Sequence, residues 1–335
     1  MTRIVGFGEL LIRLAAPERR LLSQTQSLDV HVGGAEANVL VGLACLGHET
    51  ALVSAVPANA LGDGAIAAMR ARGVDTGAVQ RREGRMGLYF LSVGAGLRAS
   101  EIIYDRAGSS FARATAADLD WTAHLRGAGL LHLSGITPAL GPASADATLA
   151  AARAARAAGV PISFDGNYRA MLWDAWDSDP RAILGELVGM ADIMFGNHRD
   201  ISLLLGRDFS GDGADRRREA AEAAFAAFPN LTLIASTARH VDDADHHRIS
   251  ARIDRRDAAA QTREVTVSGI IDRIGAGDAF AAGVLHAHLT GATAETMAET
   301  GLALTCLKHS LPGDASLFGR GDIEAFMAGG MDVRR

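Results

Sequence analysis

Gly275, Ala276 and Gly277 stand directly before Asp278, and an apolar helical run opens after it with Ala279, Phe280, Ala281 and Ala282. A helix start exposes unpaired N–H groups and the positive end of the helix dipole, and residues this small let an anion approach the backbone closely. A carboxylate in the first turn can accept a proton from an attacking hydroxyl while the amides stabilise charge on a transferring phosphoryl group. Asp278 could equally cap the helix in a tight turn, and the residues by themselves leave both readings open.

The rest of the chain narrows the partner. Its single lysine is Lys308, and no Gly-x4-Gly-Lys-Ser/Thr run is present. A nucleotide would therefore be held by backbone amides, arginines and a metal ion. A net charge of −6 gives no basic face for nucleic acid, so a small metabolite is the expected partner. Cys45 and Cys306 lie in apolar runs and read as buried thiols of a reducing compartment. Charged Arg3, Glu9 and Arg13 interrupt the N-terminal residues, and no apolar run nears the ~20 residues that span a bilayer. A cytoplasmic location with no membrane contact is expected.

Apolar strands alternate with amphipathic helices, which predicts a three-layer α/β/α fold. Strands are expected over 3–8, 50–56, 130–133, 161–165, 192–195 and 231–235. Helices are expected over 36–46, 64–72, 144–158, 215–227, 277–290, 294–307 and 322–328. Segments 28–32, 87–93 and 100–104 break the rhythm. The last two flank a turn at Gly94 to Gly96 and predict a hairpin standing off the main sheet as a small β-sheet lid. One unit is expected over 1–330, with lid strands drawn from about 10–33 and 86–107. The tract 240–248 holds three histidines and three aspartates without zinc-like spacing, and reads as a solvated loop leading into a strand over 248–253. Gly6, Gly8 and Glu9 open like a dinucleotide fingerprint but lack its third glycine. The charged stretch 215–219 reads as a solvated helix face.

Two separated signatures carry a resemblance. The run Gly275 to Phe280 resembles the C-terminal signature of the ribokinase-like (PfkB) carbohydrate kinases. Gly33, Gly34, Asn38, Leu46 and Gly47, then Gly62 to Gly64 and Arg72 to Thr76, resemble the N-terminal one. The stretches 33–38, 104–109, 165–169 with Leu172 and Trp173, and 307–314 are most similar to 2-keto-3-deoxygluconate kinases. The resemblance implies ATP with Mg²⁺, Asp278 as catalytic base, and Gly275, Ala276 and Gly277 as the anion hole. It implies a sugar pocket of Gly34, Asn38, Tyr89, Tyr104, Arg106, Arg169 and Asp278. Arg106 and Arg169 would each offer a planar fork to a substrate carboxylate, and the tyrosines an apolar face with a hydroxyl. On the nucleotide side it implies Asn167, Asn197, Ser236, Thr237, Arg239, Gly275 and Gly277. The family's Asn-x-x-Glu metal motif becomes Asn197 to Asp200 here, so Asp200 is one methylene short and Asn197 reads equally as a helix cap. A homo-oligomer sharing lid strands is a further expectation of the resemblance. Fructokinase, ribokinase and nucleoside kinase activities, or a silent sugar-binding relative, remain alternatives on the same fold.

Overall fold

The computed structural model describes residues 2–329. Its main sheet has eleven strands among the described residues. The path runs Ala259–Gln261, His246–Arg255, Leu233–Val241, Ile193–Phe195, Ile162–Asp165, Ala128–Ser134, Arg3–Phe7, Glu49–Pro57 and Val74–Asp75. From Leu233–Val241 onward every pairing on that path is parallel, whereas His246–Arg255 runs antiparallel to its neighbours. Parallel strands covered on both faces are apolar on both, because successive side chains point to opposite sides. Ile4 and Leu52 accordingly join one core cluster with Leu40, Phe280 and Leu304. Val5, Phe7 and Val53 join the other, with Phe164, Trp173 and Leu187.

The first strand, Arg3–Phe7, lies between Glu49–Pro57 and Ala128–Ser134. The chain thus leaves it in one direction along the sheet and later continues in the other. Such a reversal opens a crevice beyond the carboxyl ends of the strands, the usual ligand position in an open α/β sheet. A second sheet of four strands has the order Asp29–Gly33, Leu11–Ala15, Gly87–Ser92, Glu101–Asp105. Leu11, Ala15, Tyr89 and Leu91 form its own small buried cluster. Three of the four are segments whose pattern did not fit the βα rhythm, and Leu11–Ala15 joins them.

Three details differ from expectation. The loop expected over 240–248 is confined to 242–245: Leu233–Val241 pairs with His246–Arg255 as an antiparallel hairpin, so the strand expected over 248–253 begins two residues earlier and its partner runs on to Val241. The tract's polar composition masks a period of two, in which His247, Ile249 and Ala251 point inward. The helix expected from residue 64 spans Ala60–Ala71, because the Asn59 side chain caps it by accepting the Leu61 and Gly62 N–H groups. Cys306 is buried, but Cys45 is only half-buried. Among the described residues no helix is long and apolar enough to cross a membrane.

Candidate active site

The helix Ala276–Leu289 begins without a side-chain cap. Its N-cap is Gly275, in the left-handed region at φ +76. That conformation suits glycine, and a Cβ there would also collide with the carbonyl oxygen of Asp314. Among the described residues the N–H groups of Gly275, Gly277 and Asp278 have no acceptor, while Ala276 N–H reaches the Arg273 carbonyl at 3.3 Å. Three free donors at a helix start line a cavity of about 980 Å³, an arrangement that suits an anion.

Asp278 does not cap the helix. Its Oδ2 accepts a hydrogen bond from Asn38 Nδ2 at 2.6 Å, across 240 residues of sequence. Asn38 Oδ1 accepts the Gly34 N–H at 3.3 Å, which fixes the amide's orientation. Burial pushes the Asp278 carboxyl up to about 8, the Asn38 bond opposes it, and the nearby carboxylates of Asp165, Asp314 and Glu36 raise it further. A base poised close to neutrality is what proton abstraction from a hydroxyl needs. Because Asn38 favours the ionised form, Asn38→Leu should move the acid limb of the kcat/KM profile to higher pH by about one unit. Activity at pH 7 should then fall by more than activity at pH 9. An acid limb left in place would separate Asn38 from the base.

The cavity's other wall comes from the small sheet. Leu11, Tyr89, Ile102, Tyr104 and Arg106 line it opposite Gly34, Asn38 and Arg169. Tyr89 and Tyr104 face one another across paired strands, with ring centroids 6.1 Å apart. The Tyr89 hydroxyl donates to Asp314 Oδ2 at 2.6 Å, so its phenol is already committed. The two arginines are not equivalent. Arg106 is buried and directs Nε and Nη2 to Glu9 Oε2 at 2.7 and 2.6 Å. Ser109 donates to the other oxygen of Glu9. Arg169 is exposed and, among the described residues, bonds only the Tyr168 carbonyl, at 3.0 Å. Of these two, Arg169 has the fork free for a ligand's carboxylate, although it also feels the charges of Asp165 and Asp200. The loop that carries it, after strand Ile162–Asp165, places Asn167 at φ +37, a conformation rare outside glycine.

Toward the antiparallel hairpin the cavity is continuous with a second one of about 840 Å³, the two sharing Asn197, Arg199, Ser236, Thr237, Arg239, Ala276 and Gly277 in their walls. Arg199, Arg239 and Arg273 line this region, and none has a carboxylate partner among the described residues. Three uncommitted guanidiniums beside free helix amides suit a polyphosphate. Asn197 and Asp200 do form a reciprocal cap: Asn197 Oδ1 accepts the Arg199 N–H, and Asp200 Oδ2 accepts the Asn197 N–H, both at 2.8 Å. Asp200 still lines the cavity, and burial raises its carboxyl. Burial and the Asp200 charge raise Asp165 to about 7.

Whole-chain comparisons give the family. The family model of the pfkB family carbohydrate kinases matches residues 1–317. The chain belongs to the PfkB family of carbohydrate kinases. It is 30% identical over 327 residues to the 2-dehydro-3-deoxygalactonokinase of Haloferax volcanii, covering 98% of this chain and 97% of that protein. It is also 30% identical to the 2-dehydro-3-deoxygluconokinase of Bacillus subtilis, covering 92% and 90%. The crystal structure of 2-dehydro-3-deoxygluconokinase from Thermotoga maritima superposes with a TM-score of 0.93 at 34% identity, over 98% of this chain and all of that one.

In this PfkB kinase the motif residues and the fold converge on one cavity. Gly34, Asn38, Tyr89, Tyr104, Arg106, Asn167, Arg169, Asn197, Asp200, Ser236, Thr237, Arg239 and Gly275 to Asp278 all line it. Glu9, Asp165, Arg199, Arg273 and Asp314 line it too, and none of them has a site role in the sequence reading, although Asp165, Arg199 and Asp314 fall inside motif stretches. Asp165 carried a usable signal, since it ends a parallel strand at the crevice. Glu9 carried none, because its role is to neutralise an arginine 97 residues away.

Proposed function

We propose that this kinase transfers the γ-phosphoryl group of ATP to a hydroxyl of a sugar acid, 2-keto-3-deoxygluconate or its galactonate epimer. The observation that carries the transfer is Asp278, held by Asn38 at a helix start whose Gly275, Gly277 and Asp278 amides are unpaired. An acceptor hydroxyl set between Asp278 and these amides loses its proton to the carboxylate as the phosphoryl oxygens gain charge against the amides. Arg199, Arg239 and Arg273 hold the phosphates. The small sheet roofs the acceptor and keeps water from competing for the phosphoryl group.

Among the described residues no three His, Cys, Asp or Glu side chains form a metal cage. That fits Mg²⁺, which takes one or two carboxylates and completes its shell with water and phosphate oxygens. Asp200, with Asp165 beside it, offers such a pair, and each is raised toward protonation in a way that a cation would reverse. When bound, the ion neutralises charge on the phosphates.

The sugar acid rests on two supports: the uncommitted guanidinium of Arg169 and the names of the full-length relatives. Losing a charged hydrogen bond costs about 1.5–3 kcal/mol, so Arg169→Leu should lower kcat/KM for 2-keto-3-deoxygluconate by roughly ten- to a hundred-fold. Weak activity on fructose should survive, because a neutral sugar leaves that arginine unpaired. Coupled ADP-release assays with the gluconate, its galactonate epimer, fructose and ribose would read both values. Equal losses on charged and neutral sugars would make a neutral sugar the better assignment. Arg106 is a poor instrument for this test, because its removal strands the buried Glu9 carboxylate.

A further inference from the structure

Beneath the anion hole lies a buried ionic network that the motif residues do not explain. Arg13, on the second-sheet strand Leu11–Ala15, is 1% exposed. One arm of its guanidinium reaches Asp314 Oδ1 at 2.8 Å and the other Asp272 Oδ2 at 2.5 Å. These carboxylates belong to different loops. Asp272 precedes the hole, and its Oδ1 accepts the Ile274 N–H at 2.9 Å, one residue before Gly275. Asp314 lies on the loop after the helix Ala294–Lys308, takes the Tyr89 hydroxyl, and presses its carbonyl against Gly275. The Gly313 N–H adds a bond to Asp272 Oδ2 at 3.1 Å.

The chain's single lysine completes the arrangement. Lys308 is fully buried and has no carboxylate within salt-bridge reach among the described residues. Its ammonium donates to the Asp272 carbonyl at 3.3 Å and the Leu311 carbonyl at 3.0 Å. Two buried cations and two buried carboxylates therefore tie the roof strand to both loops that shape the hole. Pairing and hydrogen bonding at this density are what make buried charge tolerable. Arg13 itself is not fully served, since its Nε has no partner among the described residues. The geometry favours the carboxylates over the arginine. Neither Arg13 nor Asp272 lines the cavity, so neither touches a reacting atom.

We propose that Arg13 is a positioning residue for phosphoryl transfer: its fork holds Asp272 and Asp314 in register, and thereby sets the Gly275 amide and the acidic wall of the acceptor pocket together. The inference rests on the kinase reading, not on the identity of the sugar. Only an arginine fork spans both carboxylates at once; a lysine ammonium is a point charge that keeps the charge and loses the bridge. Ground-state binding comes from other groups, the free arginines and the sugar-facing side chains, so the fault should appear in the transition state.

The test is Arg13→Lys, assayed beside the parent enzyme on the same acceptor and on protein whose melting curve matches the parent's. The expected result is a kcat lower by about ten- to a hundred-fold, the size of loss that a misplacement of about 1 Å brings, with both KM values within about threefold. Parental kcat in Arg13→Lys would show that the site needs only a balancing charge, and would overturn the proposal. So would a loss confined to KM. If Arg13→Lys does not fold, Asp272→Asn weakens the same bridge from the loop side and takes the same measurements, with the same results for and against. Because variant and parent share one acceptor, a wrong choice of sugar lowers both rates and leaves their ratio intact. Absence of phosphoryl transfer by the parent on every sugar would instead sink the kinase reading.

Discussion

Replacing Asp278 with asparagine should remove about 10² to 10⁴ of kcat, the usual scale of general-base catalysis. The substitution keeps the shape and leaves a polar group beside Asn38, so ATP binding through the arginine wall should survive. Nucleotide affinity near the parent's, with turnover nearly abolished, is the expected pair of results. Turnover close to that of the parent would remove Asp278 from the mechanism.

The same variant has a stability signature whose sign follows from linkage. Burial holds the Asp278 carboxyl at about 8, far above an unfolded aspartate near 3.9. Between those values the folded state binds the proton and the unfolded state has lost it, so stability falls as pH rises through the window. A neutral asparagine does not have this dependence. Asp278→Asn should therefore melt at or above the parent's temperature at pH 8, with the gap closing toward pH 5. An acid kept at a cost in stability marks a site selected for chemistry rather than for packing. Thermal melts across that pH range would check it, and a variant that melts lower at pH 8 would contradict the assignment.

How far these residues could be read before the fold was known depended on how local their signals were. The glycine and alanine run before Asp278 is readable because the proposed anion hole is one segment of backbone. The main strands are readable because each carries its own apolar pattern, and the second sheet because its strands fail that pattern. Asn38, Tyr89, Tyr104 and Arg169 were legible only through family motifs. Charge pairing was not legible at all. Arg13 meets Asp314 across 301 residues and Asp272 across 259, and nothing near Arg13 in sequence distinguishes it from a surface arginine. The unequal states of Arg106 and Arg169 were hidden for the same reason, since they depend on where Glu9 lies in space. The strand over 248–253 is legible, but the pairing of 240–241 with 247–248 is hidden because histidines and aspartates there outweigh an alternation carried by only a few inward residues.

Gly277→Val should abolish phosphoryl transfer while sparing the fold, and Gly275→Ala should do the reverse of sparing it. The contrast comes from what surrounds two glycines only two residues apart. At Gly275 the backbone is left-handed and the Asp314 carbonyl occupies the place of a Cβ, so alanine adds both strain and a collision with backbone. Gly277 is exposed, has ordinary helical backbone, and a Cβ there meets no protein atom within 4 Å. That open space belongs to the cavity lined by three amides unpaired among the described residues, where the proposed transfer places the phosphoryl group. Valine's two methyl groups would fill it and keep the transferring oxygens away from their donors. Loss of one such donor already costs about 10² to 10³ in kcat, so an obstructed hole should cost at least that much. Melting temperature in Gly277→Val should stay within a few degrees of the parent's, since the change is at the surface of a helix's first turn, where a β-branched residue is only mildly unfavourable. Calorimetry beside the ADP-release assay separates the two. If Gly277→Val loses stability in step with activity, the glycine is there for the turn, and the helix start is no anion site.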